Sequence, residues 1–149
     1  MKKISSLSLI SLFLMYMLVL PAQAVSSTYQ EKEVIHSELG DIEIETITTT
    51  YSSVSRSSGR NADRTKTVRF SGEVIAEITL SVTFGYDGKT SWVSSASGSH
   101  TTYGGWSYGD EEITKSGGTA SLSATLSRLL HRDILIDISL TCSPTGQIS

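Results

Sequence analysis

Val74-Ile75-Ala76-Glu77-Ile78-Thr79-Leu80-Ser81-Val82-Thr83-Phe84 is the stretch that decides the fold class. Its even positions, Val74, Ala76, Ile78, Leu80, Val82 and Phe84, are apolar, whereas Glu77, Thr79, Ser81 and Thr83 sit between them. A repeat of two sends alternate side chains to opposite faces of a strand, so one face belongs to a core and the other to water. The run ends at Tyr86-Asp87-Gly88-Lys89, where Asp-Gly suits a tight hairpin turn. A return strand through Trp92 is expected, with Val93 on the opposite face.

The same alternation recurs near the end of the chain, where Ile134, Ile136, Ile138, Leu140 and Cys142 interleave with Asp133, Leu135, Asp137, Ser139 and Thr141. Its expected partner is Thr119 to Leu126, with Ala120, Leu122, Ala124 and Leu126 on one face after the turn signal Ser116-Gly117-Gly118. Leu122, Leu126, Leu129 and Leu130 also fit one helical face, so a short helix is the alternative there. Upstream, Ile42 and Ile44 share a parity that Ile47 breaks, which predicts a bulge or a change of sheet near Thr46. Val68 and Phe70 carry the even parity towards Val74 across Ser71-Gly72, where the glycine marks a bend or bulge. Ser52 to Thr65 has no period and reads as an exposed loop.

About seven short strands in a chain rich in Ser, Thr, Val and Ile with only two prolines predict an all-β fold. The expected architecture is an antiparallel two-sheet sandwich of immunoglobulin-like size, with a small closed barrel as the alternative. Residues 41–149 form the single sandwich domain in this reading, and residues 25–40 are an N-terminal lead segment with room to be flexible.

Residues 1–24 read as a signal peptide. Lys2 and Lys3 precede an apolar run from Leu7 to Leu20, then Pro21 and the cleavage pattern Ala22-Gln23-Ala24. The run is shorter than the roughly 20 residues a membrane-spanning helix needs. The expected location is therefore secreted, extracellular or loosely cell-surface associated, with no stable membrane insertion after cleavage.

Losing Lys2 and Lys3 leaves 10 basic against 15 acidic side chains, a net charge of −5, which argues against a nucleic-acid partner. Glu31 to Glu45 is acidic and Arg56 to Arg69 basic; these read as solvated faces pairing across strands, or more sharply as a basic patch for an anionic wall polymer. Cys142 is the only cysteine, so no internal disulfide supports the fold, and its place in the alternating face makes it a small buried hydrophobe.

The segments Ala76 to Tyr86, Asp87-Gly88, Trp92 and Ile138-Ser139-Leu140-Thr141-Cys142-Ser143-Pro144-Thr145-Gly146 resemble small, largely uncharacterised secreted β-domain proteins of Gram-positive bacteria. The resemblance covers about half of the exported part. It implies export and a β-sandwich, and it carries over no activity and no site.

Catalytic chemistry finds little support. Neither a G-x-S-x-G elbow nor an S-x-x-K motif occurs, and His36, His100 and His131 are scattered without the H-x-x-x-H spacing that sets two metal ligands on one face. No catalytic residue, metal site or cofactor is expected. The unusual segment is Thr101 to Asp110, where Tyr103, Trp106 and Tyr108 are interleaved with Gly104, Gly105 and Gly109. Large rings with polar handles between flexible glycines suit stacking on sugars or docking a partner, and the bland alternative is that the rings plug the end of the sandwich. Leu129-Leu130-His131 is a second, weaker contact candidate. The expected function is a secreted, non-enzymatic binding or surface-interaction module for a surface glycan, wall polymer or protein, with Tyr103, Trp106 and Tyr108 as binding residues. The alternative is a diffusible secreted effector or bacteriocin-like factor acting on other cells.

Overall fold

The structure, a computed structural model, describes residues 25–37, 39–52 and 58–149. The expected signal peptide, residues 1–24, lies outside the described residues, as does Arg56. The chain is all-β and folds as a sandwich of two antiparallel sheets. The first sheet holds β1 (Val25–Ile35), β2 (Ile42–Ser52), β3 (Gly59–Phe70), β4 (Glu73–Tyr86) and β5 (Ser91–Thr102) in that order. The second holds β6 (Ser107–Ser116), β7 (Thr119–Ser127) and β8 (Ile134–Thr141). The sheets do not close into a barrel, and no described residue is helical, so both alternatives fall away. Among the described residues no helix is long and apolar enough to cross a membrane.

From Ala76 onward β4 behaves as its alternation requires, whereas Val74, expected on the core face, gives that place to Ile75. Ala76, Ile78, Leu80, Val82 and Phe84 are buried and face Ala120, Leu122, Ala124 and Leu126 of β7 and Ile134, Ile136, Ile138 and Leu140 of β8 across the core. Burying each large aliphatic or aromatic side chain contributes about 1.5–3 kcal/mol, which makes this layer the main source of stability. Cys142 joins it, fully enclosed, with its thiol proton on the Ser143 carbonyl and burial pushing its titration upward.

Several expectations near the start are corrected. The lead segment carries β1, paired with β2 along its whole length. The loop expected over Ser52 to Thr65 is much shorter, because β3 begins at Gly59. No bulge occurs at Thr46, since β2 and β3 keep one register from Ile42 to Tyr51; Ile47 simply points to the outer face. Ser71-Gly72 is not a bend in one strand but a two-residue hairpin turn, with φ of 50° and 86° at its two residues. The register shift falls instead opposite Val68 and Arg69, and it leaves Ile75 unpaired and turned into the core. The Asp87 loop is also longer than two residues: Tyr86 pairs with Ser91, and the Asp87 carboxylate accepts bonds from the Lys89 and Thr90 amides at 2.8 and 2.6 Å.

The two sheets differ in width. β8 packs on β3 and β4, β7 on β4 and β5, and β6 beside β5, so β1 and β2 extend past the smaller sheet. Apart from Ile35, Ile42 and Ile44 at one end, their inward faces therefore carry mostly polar side chains, and Arg64 of β3 reaches across this margin to donate to the Thr48 hydroxyl at 2.7 Å and to the Ser139 carbonyl. Arg60, Arg64 and Lys66 share the inward parity of β3, and Arg69 pairs with Glu45. Among the described residues three of the four basic side chains of this stretch thus share the inward face, Arg64 commits its guanidinium to Thr48 and Ser139, and Arg69 stands on the outer face.

The outer face of the larger sheet has the opposite composition. On β3, β4 and β5 the residues of outward parity run from Asn61 to Thr67, from Glu77 to Gly85 and from Trp92 to Thr101. Most of them are serine or threonine, and the Thr65 and Thr79 hydroxyls bond each other at 2.8 Å.

Candidate functional site

β5 passes to β6, and so from one sheet to the other, through Tyr103-Gly104-Gly105-Trp106. The Trp106 amide bonds the Tyr103 carbonyl at 3.1 Å, and φ is 61° at Gly104 and 77° at Gly105. Two successive left-handed residues are costly for any side chain with a Cβ, which explains the glycine pair. The Tyr103 amide is held by the Ile75 carbonyl at 2.9 Å, so the β4 bulge anchors the crossing.

This turn sends the three predicted binding rings in different directions. Tyr103 is 42% exposed and lies outward, its hydroxyl donating to the Glu77 carboxylate at 3.1 Å; that bond holds the phenol proton on. Trp106 is only 5% exposed and turns inward. Tyr108 leaves along β6 and stacks on His100 with ring centroids 3.7 Å apart, while its hydroxyl donates to Glu111 at 2.6 Å. Burial, reinforced by that carboxylate, pushes the Tyr108 phenol far above its ordinary range. The three rings form no shared exposed platform; Trp106 closes the end of the sandwich.

Trp106 belongs to a second constellation that the sequence did not announce. Its ring lies 5.9 Å from Phe70 and 5.5 Å from His131, nearly parallel to the latter, and Phe70 and His131 are 5.4 Å apart. These rings, with Ile42 and Ile134, wall a cleft of about 400 Å³ at this end of the sandwich. His36, Arg132 and Asp133 form its polar rim. The indole Nε1 of Trp106 is buried and has no acceptor among the described residues. A buried donor left without an acceptor costs about 1–3 kcal/mol. The volume is in the range of small-ligand sites, which combine an apolar lining with few polar groups.

Next to His131, the Arg128–His131 turn presents Leu129 and Leu130, 87% and 91% exposed. Leu130 has φ of 66°, a conformation that bulky side chains rarely adopt. Leu39 adds a further exposed apolar side chain on the rim of the cleft.

Of the three histidines, His36 meets an acid: its Nδ1 lies 2.8 Å from the Asp41 carboxylate across a surface turn. The neighbouring Ser37 hydroxyl donates to the Gly40 carbonyl, so it is not aligned as a nucleophile towards His36. His100 and His131 are taken up in ring stacks. Among the described residues no group of three metal-ligating side chains converges. No protein-family model, curated protein or solved structure matches the chain.

Proposed function

We propose that the chain is a secreted, non-enzymatic binding module, exported by residues 1–24, that engages a cell-surface polymer or protein at the Trp106 end of its sandwich. The observation that carries this reading is the cleft itself. It joins an aromatic floor of Phe70, Trp106 and His131 to a polar rim of His36, Arg132 and Asp133, with the exposed Leu39 among its lining residues, and His131 is preceded in the chain by the exposed Leu129-Leu130 pair. A ligand with an apolar group and polar substituents would cover the aromatic floor and meet the polar rim together. Such contacts, a desolvated aromatic anchor ringed by polar groups, dominate binding energies. The expected binding residues are revised accordingly: Trp106 acts from within the cleft, and Tyr103 and Tyr108 lie outside it.

Co-sedimentation of the chain from Val25 with intact cells and with isolated wall polysaccharide tests the proposal, with Leu130→Asp and Trp106→Phe beside the parent. Sedimentation of the parent that both variants lose supports it. If the parent stays in solution with both materials, the surface-binding module is wrong. The second reading, a diffusible effector acting on other cells, draws on the same exposed Leu129-Leu130 pair and predicts activity on target cells that Leu130→Asp abolishes.

A further inference from the structure

The outer face of the larger sheet holds a feature separate from the cleft. Trp92 of β5 pairs with Gly85 of β4, and a methyl group at Gly85 would collide with Cε2, Cζ2 and Nε1 of the indole. The ring is therefore seated on the glycine backbone, where any other residue would displace it. Even so, Trp92 remains 44% exposed, so part of the indole stays open to water.

From Trp92 the hydroxyl rows of β3, β4 and β5 lead along the sheet to a shallow depression of about 410 Å³, where Thr65, Thr67, Thr79, Ser99 and Thr101 are joined by Glu77 and His100, with Ile47 at its side. Tyr103 stands at the far end, over Glu77. Gly85 and Glu77 are eight residues apart on one strand, so the two rings bracket a track about 26 Å long.

Charge narrows the occupant. Between Asn61 and Thr67, Glu77 and Gly85, and Trp92 and Thr101, the outward residues include two carboxylates and no lysine or arginine. Asp63 accepts the Tyr51 hydroxyl and Glu77 the Tyr103 hydroxyl. Arg69, the next residue of outward parity on β3, is engaged by Glu45, so a polyanion would find the two carboxylates and no unpaired lysine or arginine along these rows. A neutral polyhydroxylated chain would find exchangeable hydroxyl partners along the track and a ring at each end on which a sugar face can lie.

We infer that the outer face of the β3–β4–β5 surface is a binding track for a neutral linear polysaccharide, with Trp92 as its principal contact. The track is distinct from the Trp106 cleft and does not depend on it.

Retention of the chain from Val25, which contains all eight strands, on cellulose, chitin, xylan, mannan and β-1,3-glucan, with polygalacturonate as the anionic control, tests the assignment. The expected result is retention on at least one neutral polymer, oligosaccharides of that polymer binding more tightly as they lengthen, and about tenfold weaker binding by Trp92→Ala. Thr79→Arg, which fills the depression and adds a cation, is expected to abolish retention while leaving the circular dichroism spectrum unchanged. Leu130→Asp, which alters the exposed pair beside His131, is expected to bind like the parent, so failure of the cleft proposal and failure of this one are separable. Retention on none of the neutral polymers, stronger retention on polygalacturonate, or undiminished binding by folded Trp92→Ala would each overturn the inference.

Discussion

Replacing Trp106 separates packing from binding at the end of the sandwich. The side chain is almost wholly enclosed and touches both Phe70 and His131, so truncation to alanine belongs with large-to-small core changes, which cost about 3–5 kcal/mol for an aromatic residue. The space left by the ring would merge with the existing cleft, which opens to solvent. Water can then enter, the added cavity term is small, and the lower end of the range, about 3 kcal/mol, is expected for Trp106→Ala. Trp106→Phe retains most of the apolar volume and removes the donor that has no acceptor, so its loss of packing is partly offset and a cost of about 1 kcal/mol is expected. Urea unfolding of each variant, followed by Trp92 fluorescence and by circular dichroism, measures both values. A Trp106→Ala cost below about 1 kcal/mol would refute the argument, because it would mean that the three-ring cluster does not close the core.

Other consequences can be checked in the same way. Leu130 holds a left-handed conformation that costs an L-residue about 1–2 kcal/mol, so Leu130→Gly should stabilise the fold by up to about 1 kcal/mol while weakening attachment at the cleft; a fall in the unfolding midpoint would contradict this. Gly104→Ala and Gly105→Ala should each destabilise by about 1 kcal/mol or more, since both residues need positive φ, and calorimetry of the two variants tests it. Bonds from the Thr90 and Lys89 amides hold the Asp87 carboxyl below its ordinary value of 3.8. A lowered folded-state value means that the contribution is present above that ordinary value and is lost as pH falls through the folded one. The stability difference between parent and Asp87→Ala, from urea midpoints, should therefore be constant from pH 5 to 7 and shrink as pH falls below 4; a gap that is the same at pH 2 as at pH 7, or that widens on acidification, would count against it.

How far the sequence could be read depends on what each strand packs against. β4, β7 and β8 lie where the two sheets overlap, so every second residue is buried and the alternation is plain in Ala76 to Phe84 and in Ile134 to Leu140. β1 and the first half of β3 lie at the margin that the smaller sheet leaves open or only partly covers. Glu31, Glu33, Arg64 and Lys66 stand on the same side as core residues of neighbouring strands, so the polar pattern that suggested a lead segment and a loop is the pattern this overhang demands. At the candidate site, Tyr103, Trp106 and Tyr108 were conspicuous as rings between glycines, yet the direction of each depends on a turn that changes sheets. Nothing in that segment announced the contributions of Phe70, Ile42 and His131, which arrive from three other places in the chain. Trp92 was legible as a strand residue, but its seat on Gly85 arises only from the β4–β5 register.

The order of strands also has a kinetic side. Within each sheet every neighbour in space is a neighbour in sequence, so both sheets are meanders and no strand must wait for a distant partner before pairing. Each can zip through successive hairpins, a route with short loop closures for an all-β chain. The long-range step left is to lay the β6–β8 meander on β3–β5, and the Gly104-Gly105 turn is the joint between the two meanders. A residue stiffer than glycine there would slow docking of the two halves more than the formation of either.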